Sequence, residues 1–134
     1  MKKLVFFLVA FCLSCTLFSQ DIVEVTLQET LTKEQLSGLF LGFPVNHAIE
    51  AYKVLYETLD TDGTIDTASG LMVLPVNEPA DQQFPFLAYQ HGTASSRDGV
   101  PSNIDVFERR LAYYFAGQGY YTTAADYLLS LIHI

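Results

Sequence analysis

Cysteine is scarce in this chain of 134 residues, and both copies, Cys12 and Cys15, fall in its apolar amino-terminal run. Past that run there is no thiol, which excludes a disulfide framework and any cysteine-built metal or redox centre from the remainder. The C-x-x-C spacing of the pair is not read as a redox motif, because an apolar run offers no fold to tune a thiol. Basic residues are also few: Lys and Arg number 7 against 15 Asp and Glu, for a net charge of −8. Nucleic acid and anionic membrane surfaces need basic patches and are therefore not expected partners; the acidity bears mainly on solubility. Internal repeats, low-complexity tracts and Pro/Gly/Ser-rich linkers are missing too, so nothing divides the chain into several domains.

What is present begins with Met1-Lys2-Lys3 and an apolar run from Leu4 to Phe11 that continues with little interruption to Phe18. A positive start, an apolar middle and small polar residues after it predict a signal peptide over residues 1–20, cleaved near Ser19 or Gln20. A spanning helix would need roughly 20 apolar residues with suitable flanks. The product is then secreted or periplasmic, with no integral membrane span after signal removal. The alternative is a lipid anchor on Cys15, although Cys12 stands three positions earlier, where leucine is usual.

Residues 21–50 are expected to form an amino-terminal arm. From Asp21 to Phe40 the pattern is weakly helical, with a capping-box signature at Thr32 and Gln35 and with Leu36, Leu39 and Phe40 spaced to share a face. Ser37-Gly38 weakens that helix and Gly42-Phe43-Pro44 ends it. His47 and Glu50 follow, but two candidate ligands without a third nearby do not make a metal site.

Ala51–Thr58 and Ala68–Val76, rich in Val, Leu and Tyr, flank Asp60-Thr61-Asp62-Gly63 and predict a β-hairpin. Set on Gly63, a calcium loop would place Asp60, Asp62 and Asp66 at three ligand positions and Ile65 at the usual apolar one. Its first and last positions would be Thr58 and Ser69, which removes two carboxylates, and the flanks are strand-like where that motif needs helices. The hairpin is the better reading.

The stretch that organises the rest is Phe84 to Thr93, F-P-F-L-A-Y-Q-H-G-T. A short apolar run bounded by turn signals predicts a strand covered on both faces, and such strands carry their sites at the carboxyl end. His91-Gly92-Thr93 sits there; glycine permits a sharp turn, and the following amides can point at an oxyanion. The plain alternative is an ordinary loop in which the His91 side chain ties down its own backbone. Ala94 to Asn103 is a long loop. Ser102 and Asp105 resemble a capping box for a helix with Ile104, Phe107, Leu111, Tyr114 and Phe115 on its apolar stripe and Glu108, Arg109 and Gln118 largely off it. Gly117 and Gly119 end the helix, and Tyr120 to Ala125 reads as a strand closing with Asp126-Tyr127.

The order is hairpin, strand, helix, strand: the opening of an α/β sheet, with a right-handed crossover expected. The hairpin A-Y-K-V-L-Y-E-T…S-G-L-M-V-L-P, the strand ending Y-Q-H-G-T, the helix ending A-G-Q-G-Y and the strand ending A-D-Y together resemble the α/β-hydrolase superfamily, in its secreted lipase/esterase-like branch. The resemblance covers residues 51–127, read as a partial α/β-hydrolase domain that stops before the nucleophile elbow. It implies acyl transfer, in which a serine attacks an ester or amide carbonyl with a histidine and an acid behind it and backbone amides hold the oxyanion; a small-molecule or lipid ester is the expected substrate, and the sequence indicates no cofactor or metal. Gly92 and Thr93 match the oxyanion loop. No G-x-S-x-G occurs in the chain, and Ser95 and Ser96 lack an elbow and a paired base, so neither is taken as the nucleophile. Residues 128–134 depart from the glycines the family carries after Asp126-Tyr127 and are similar to a translated sequencing-adapter tail, so His133 is not read as the catalytic histidine. In the family the strand Phe84 to Gln90 lies between the fourth and fifth strands, so a chain ending after the fourth leaves it at an edge. The second functional class is a non-catalytic secreted binding or surface module, with Tyr113, Tyr114, Tyr120 and Tyr121 as contacts.

Overall fold

The computed structural model describes residues 21–76, 79, 82–92 and 97–127. The predicted signal peptide, the proposed tail over 128–134, and Thr93, Ser95 and Ser96 lie outside the described residues.

Among the described residues five strands form one sheet in the order β1-β2-β3-β5-β4: β1 Ile22–Leu31, β2 Ala48–Leu59, β3 Ile65–Val76, β4 Phe86–Tyr89 and β5 Tyr121–Ala125. β1 to β3 form an antiparallel meander, β3 pairs antiparallel with β5, and β4 and β5 run parallel. Among the described residues two α-helices accompany them, α1 Lys33–Leu39 and α2 Phe107–Gly117, with a 3₁₀ turn over Arg97–Gly99 inside the expected loop of residues 94–103. The hairpin is the one predicted, with β2 beginning three residues earlier and both strands reaching further toward the turn, and Gly63 takes the left-handed conformation its turn requires, φ +83°. Asp62 Oδ1 accepts from the Thr64 amide at 2.9 Å and hydroxyl at 2.6 Å, and Asp60 Oδ1 accepts from the Thr61 amide at 2.7 Å, so these carboxylates bond within the turn.

The arm differs from expectation over its first half. Ile22–Leu31 is a strand, in which Val23, Val25 and Leu27 alternate with Glu24, Thr26 and Gln28, a period of two that suits the free edge of β2. Helical spacing begins only at α1. There the capping box forms as read: the Thr32 hydroxyl accepts from the Gln35 amide and the Gln35 side chain accepts from the Thr32 amide at 2.8 Å.

One face of the sheet makes the core. Ile49 and Ala51, Leu71 and Val73, and Ala124 stand on it, joined by Leu36 from α1, Val45, and Ala112, Tyr113 and Ala116 from α2. Each large aliphatic side chain buried there contributes about 1.5–3 kcal/mol. The opposite face follows from the register, which aligns Leu27, Tyr52, Met72, Thr123 and Ala88 across all five strands. Among the described residues it has no helical cover: Tyr52, Val54, Tyr56, Met72 and Leu74 are half-buried, and Val25, Leu27 and Phe86 are exposed.

Two further expectations change. β4 is an edge strand with Phe86 68% exposed, and so is not covered on both faces. The family's strand order would set it between two strands, of which β5 is the one present among the described residues. On α2 the buried residues are Arg109, Ala112, Tyr113, Ala116 and Gly117, whereas Ile104 and Phe107 are exposed and Leu111, Tyr114 and Phe115 half-buried. Small residues decide this face. Ala112, Ala116 and Gly117 let the helix approach closely, a Cβ at Gly117 lying 3.3 Å from Val45 Cγ1, and the polar ends of Arg109 and Tyr113 find partners on β1. The Ser102–Asp105 capping box does not form either. Val106 is the N-cap without a side-chain bond, Asp105 has φ +69°, and the Ser102 amide is taken by Asp126.

Candidate active site

The parallel pair β4 and β5 ends side by side, and the residues following each end form the candidate site: Gln90, His91 and Gly92 after β4, and Asp126 and Tyr127 after β5. At this end of a parallel pair the next backbone groups leave the ladder and become available to a ligand.

His91 is 7% exposed. Its Nδ1 lies 2.6 Å from the carbonyl oxygen of Gly92. A carbonyl can only accept, so Nδ1 donates this bond, and Nε2 is buried without a hydrogen-bond partner among the described residues. The imidazole therefore does tie down its own backbone, as the plain reading held, and it does so beside the residue matched to the oxyanion loop. Its ring stacks on Tyr127 at 4.7 Å and 30°. The Tyr127 hydroxyl bonds to Gln90 Oε1.

Asp126, 5% exposed, is the second buried polar group. Ser69 donates its hydroxyl to Oδ2 at 2.5 Å, the Ser102 amide donates to Oδ1 at 2.9 Å, and the Asp126 amide donates to the Ser69 carbonyl at 3.0 Å. Two donors on the carboxylate offset part of its desolvation. Burial first, then the charge of Asp126 and the Tyr127 hydroxyl, hold the Tyr56 hydroxyl above its ordinary range.

Gly92 is exposed, its φ is not positive, and a Cβ there would meet nothing within 4 Å among the described residues. A left-handed backbone is thus not what calls for glycine at this position, and residues 93–96, which continue the turn, lie outside the described residues.

The other sequence candidates lie elsewhere. The His47 ring packs edge-on against Phe84 at 5.0 Å, and Glu50 accepts from the Tyr52 hydroxyl at 2.5 Å. Among the described residues no group of three or more His, Cys, Asp or Glu is placed to hold a metal ion. Tyr113 is buried and Tyr114 and Tyr121 are half-buried, so most of the tyrosines named as surface contacts take part in packing. The carboxylate of Asp126 is the group that sequence reasoning missed. It was legible as a strand-ending acid, but its partner Ser69 stands 57 positions away.

The structure is similar to that of a hydrolase candidate from Legionella pneumophila, with a TM-score of 0.68 and 28% identity over 80% of this chain and 30% of that one. It is also similar to the rice cell wall degrading esterase LipA from Xanthomonas oryzae, with a TM-score of 0.65 and 21% identity over 82% of this chain and 29% of that one. The chain has an α/β-hydrolase-like fold. In length it spans about 30% of these hydrolase structures. No protein-family model and no curated protein matches it. Within the hydrolase fold, β4 with its His91-Gly92 turn, α2 and β5 form the strand-helix-strand unit expected from the sequence. Among the described residues no helix is long and apolar enough to cross a membrane.

Proposed function

We propose that this chain is the amino-terminal part of a secreted serine hydrolase that cleaves carboxylic esters through an acyl-enzyme, and that its contribution is the oxyanion loop at Gly92 and Thr93. The observation that carries the reading is the location of the His91-Gly92 turn. It lies at the carboxyl end of β4, beside the end of its parallel neighbour, in a fold similar to hydrolase structures. A backbone N–H aimed at the developing oxyanion is worth about 3 to 4 kcal/mol of barrier. The nucleophile, acid and base belong to sequence beyond residue 127, and the present chain by itself is inactive, since an oxyanion loop without nucleophile and base gives weak stabilisation.

The test begins with the genomic DNA past codon 127. The reading expects a continuing frame with G-x-S-x-G after one more strand, then an acid and a histidine. A genuine stop codon near residue 134 would overturn it in favour of a non-catalytic module. In the extended product, Thr93→Pro is expected to lower turnover of a p-nitrophenyl ester about 100-fold or more while the protein stays folded, because proline removes the N–H. Unchanged turnover would move the oxyanion role away from this loop. The chain of 134 residues should show no turnover.

A further inference from the structure

The ladder of β4 ends at Tyr89, so it does not hold the turn that follows. The end of β5 does. Asp126 is pinned to β3 through Ser69 and to the segment before α2 through the Ser102 amide. One residue later Tyr127 adopts a left-handed φ of +56°, a conformation that a tyrosine keeps only where its surroundings impose it. That conformation lays the Tyr127 ring on His91 and its hydroxyl on Gln90. His91 in turn holds the Gly92 carbonyl. A peptide unit is planar, so holding the Gly92 carbonyl restrains the plane to which that carbonyl belongs.

We infer that Asp126 and Tyr127 are positioning residues for the proposed oxyanion loop: Asp126 anchors the end of β5, and Tyr127 clamps His91 so that the imidazole sets the Gly92 peptide plane. The inference rests on the reading of that loop given above and names the groups that set its geometry. Neither residue touches the reacting atoms. Their contribution is preorganisation, which matters because a donor displaced by about 1 Å loses most of its effect.

The test is residue-level acylation of histidine by diethyl pyrocarbonate on the whole chain in dilute solution. His91 and His47 are followed separately by peptide mass spectrometry, and each variant is checked by its melting curve. In the wild type His91 is expected to react about tenfold more slowly than in the urea-unfolded chain, since its ring is covered. Tyr127→Leu should bring His91 close to the unfolded rate while leaving His47 unchanged, and Tyr127→Phe, which keeps the ring, should protect His91 as the wild type does. Asp126→Ala should expose His91, whereas Asp126→Asn, which keeps an acceptor for the Ser102 amide, should not. Wild-type His91 reacting at the unfolded rate would overturn the proposal. Persistent protection in Tyr127→Leu, or an equal rise at His47, would do the same. If Asp126→Ala does not fold, the Tyr127 pair decides. Turnover is not measured, so failure of the clamp leaves the hydrolase reading standing, and failure of that reading leaves the clamp to be judged by these rates.

Discussion

Glu29 on β1 and Arg109 on α2 meet at 3.2 Å, although 80 positions of chain separate them. The guanidinium is 2% exposed; its Nη1 also donates to Gln28 Oε1 at 2.7 Å and to the Ser102 carbonyl at 3.2 Å, and its Nε bonds the Tyr113 hydroxyl. Three elements are fastened by one side chain: the edge strand, the helix and the segment that holds Asp126.

Arg109→Ala should therefore destabilise the fold by about 3 kcal/mol, the lower end for breaking a buried pair because Glu29 is partly solvated. Arg109→Lys should recover little of this, since a single ammonium cannot reproduce the planar fork. Urea midpoints of the two variants measure both, and a lysine variant as stable as the wild type would show that charge alone suffices.

Tyr113 gives the fold an alkaline limit. Burial first, then its hydrogen bond to Glu29, raise its hydroxyl above the ordinary tyrosine value against the lowering effect of Arg109. A group raised in the folded state keeps its proton longer there than in the unfolded chain. Its stabilisation is complete below about pH 10 and is lost as pH rises beyond that value. Stability followed from pH 9 to 11 should fall, and Tyr113→Phe should flatten the fall while lowering the plateau through loss of the Glu29 and Arg109 bonds. An equally steep fall in the variant would assign the titration to Tyr52, Tyr56 or Tyr89, which are raised as well.

Gly119 closes α2 with φ +98°, and a Cβ there would lie 3.1 Å from His47 Nε2 and 3.2 Å from the Phe84 ring. Conformational strain and contact act together. Gly119→Ala should cost about 2 kcal/mol, whereas Gly38→Ala, in open space within α1, should be neutral or slightly stabilising. Thermal melts of the two variants compare them directly.

The sheet face opposite the core and the edge of β4 predict association. Val25, Leu27 and Phe86 are exposed on that face, and β4 has no partner on its outer side among the described residues. Residues 21–127 expressed alone should form oligomers or bind a hydrophobic dye despite the net negative charge. Sedimentation and near-ultraviolet circular dichroism report on this, and a dispersed monomer with a sharp cooperative melt would show the face to be stable in water.

Local interactions were legible in the residues themselves. The hairpin, the Thr32–Gln35 capping box, the glycine-terminated helix and the strand ending at Asp126 depend on contacts a few positions apart, and their period and turn chemistry stand in the sequence. So does the location of His91-Gly92 at a strand end. Which faces are buried was decided by tertiary structure. The apolar stripe of Phe107 and Leu111 yielded to Ala112, Ala116 and Gly117 because close approach to the sheet favours small residues, and a buried Arg109 is tolerated because β1 supplies Glu29 and Gln28. Ile22–Leu31 became a strand because the edge of β2 was there to pair with it, a long-range bond that its alternating residues permit but do not require. Asp126 and Tyr127 acquired their places in the same way, through Ser69, Ser102, Gln90 and His91. A carboxylate or a ring carries no record in its own neighbourhood of the partner that will satisfy it, and folding alone brings the two together.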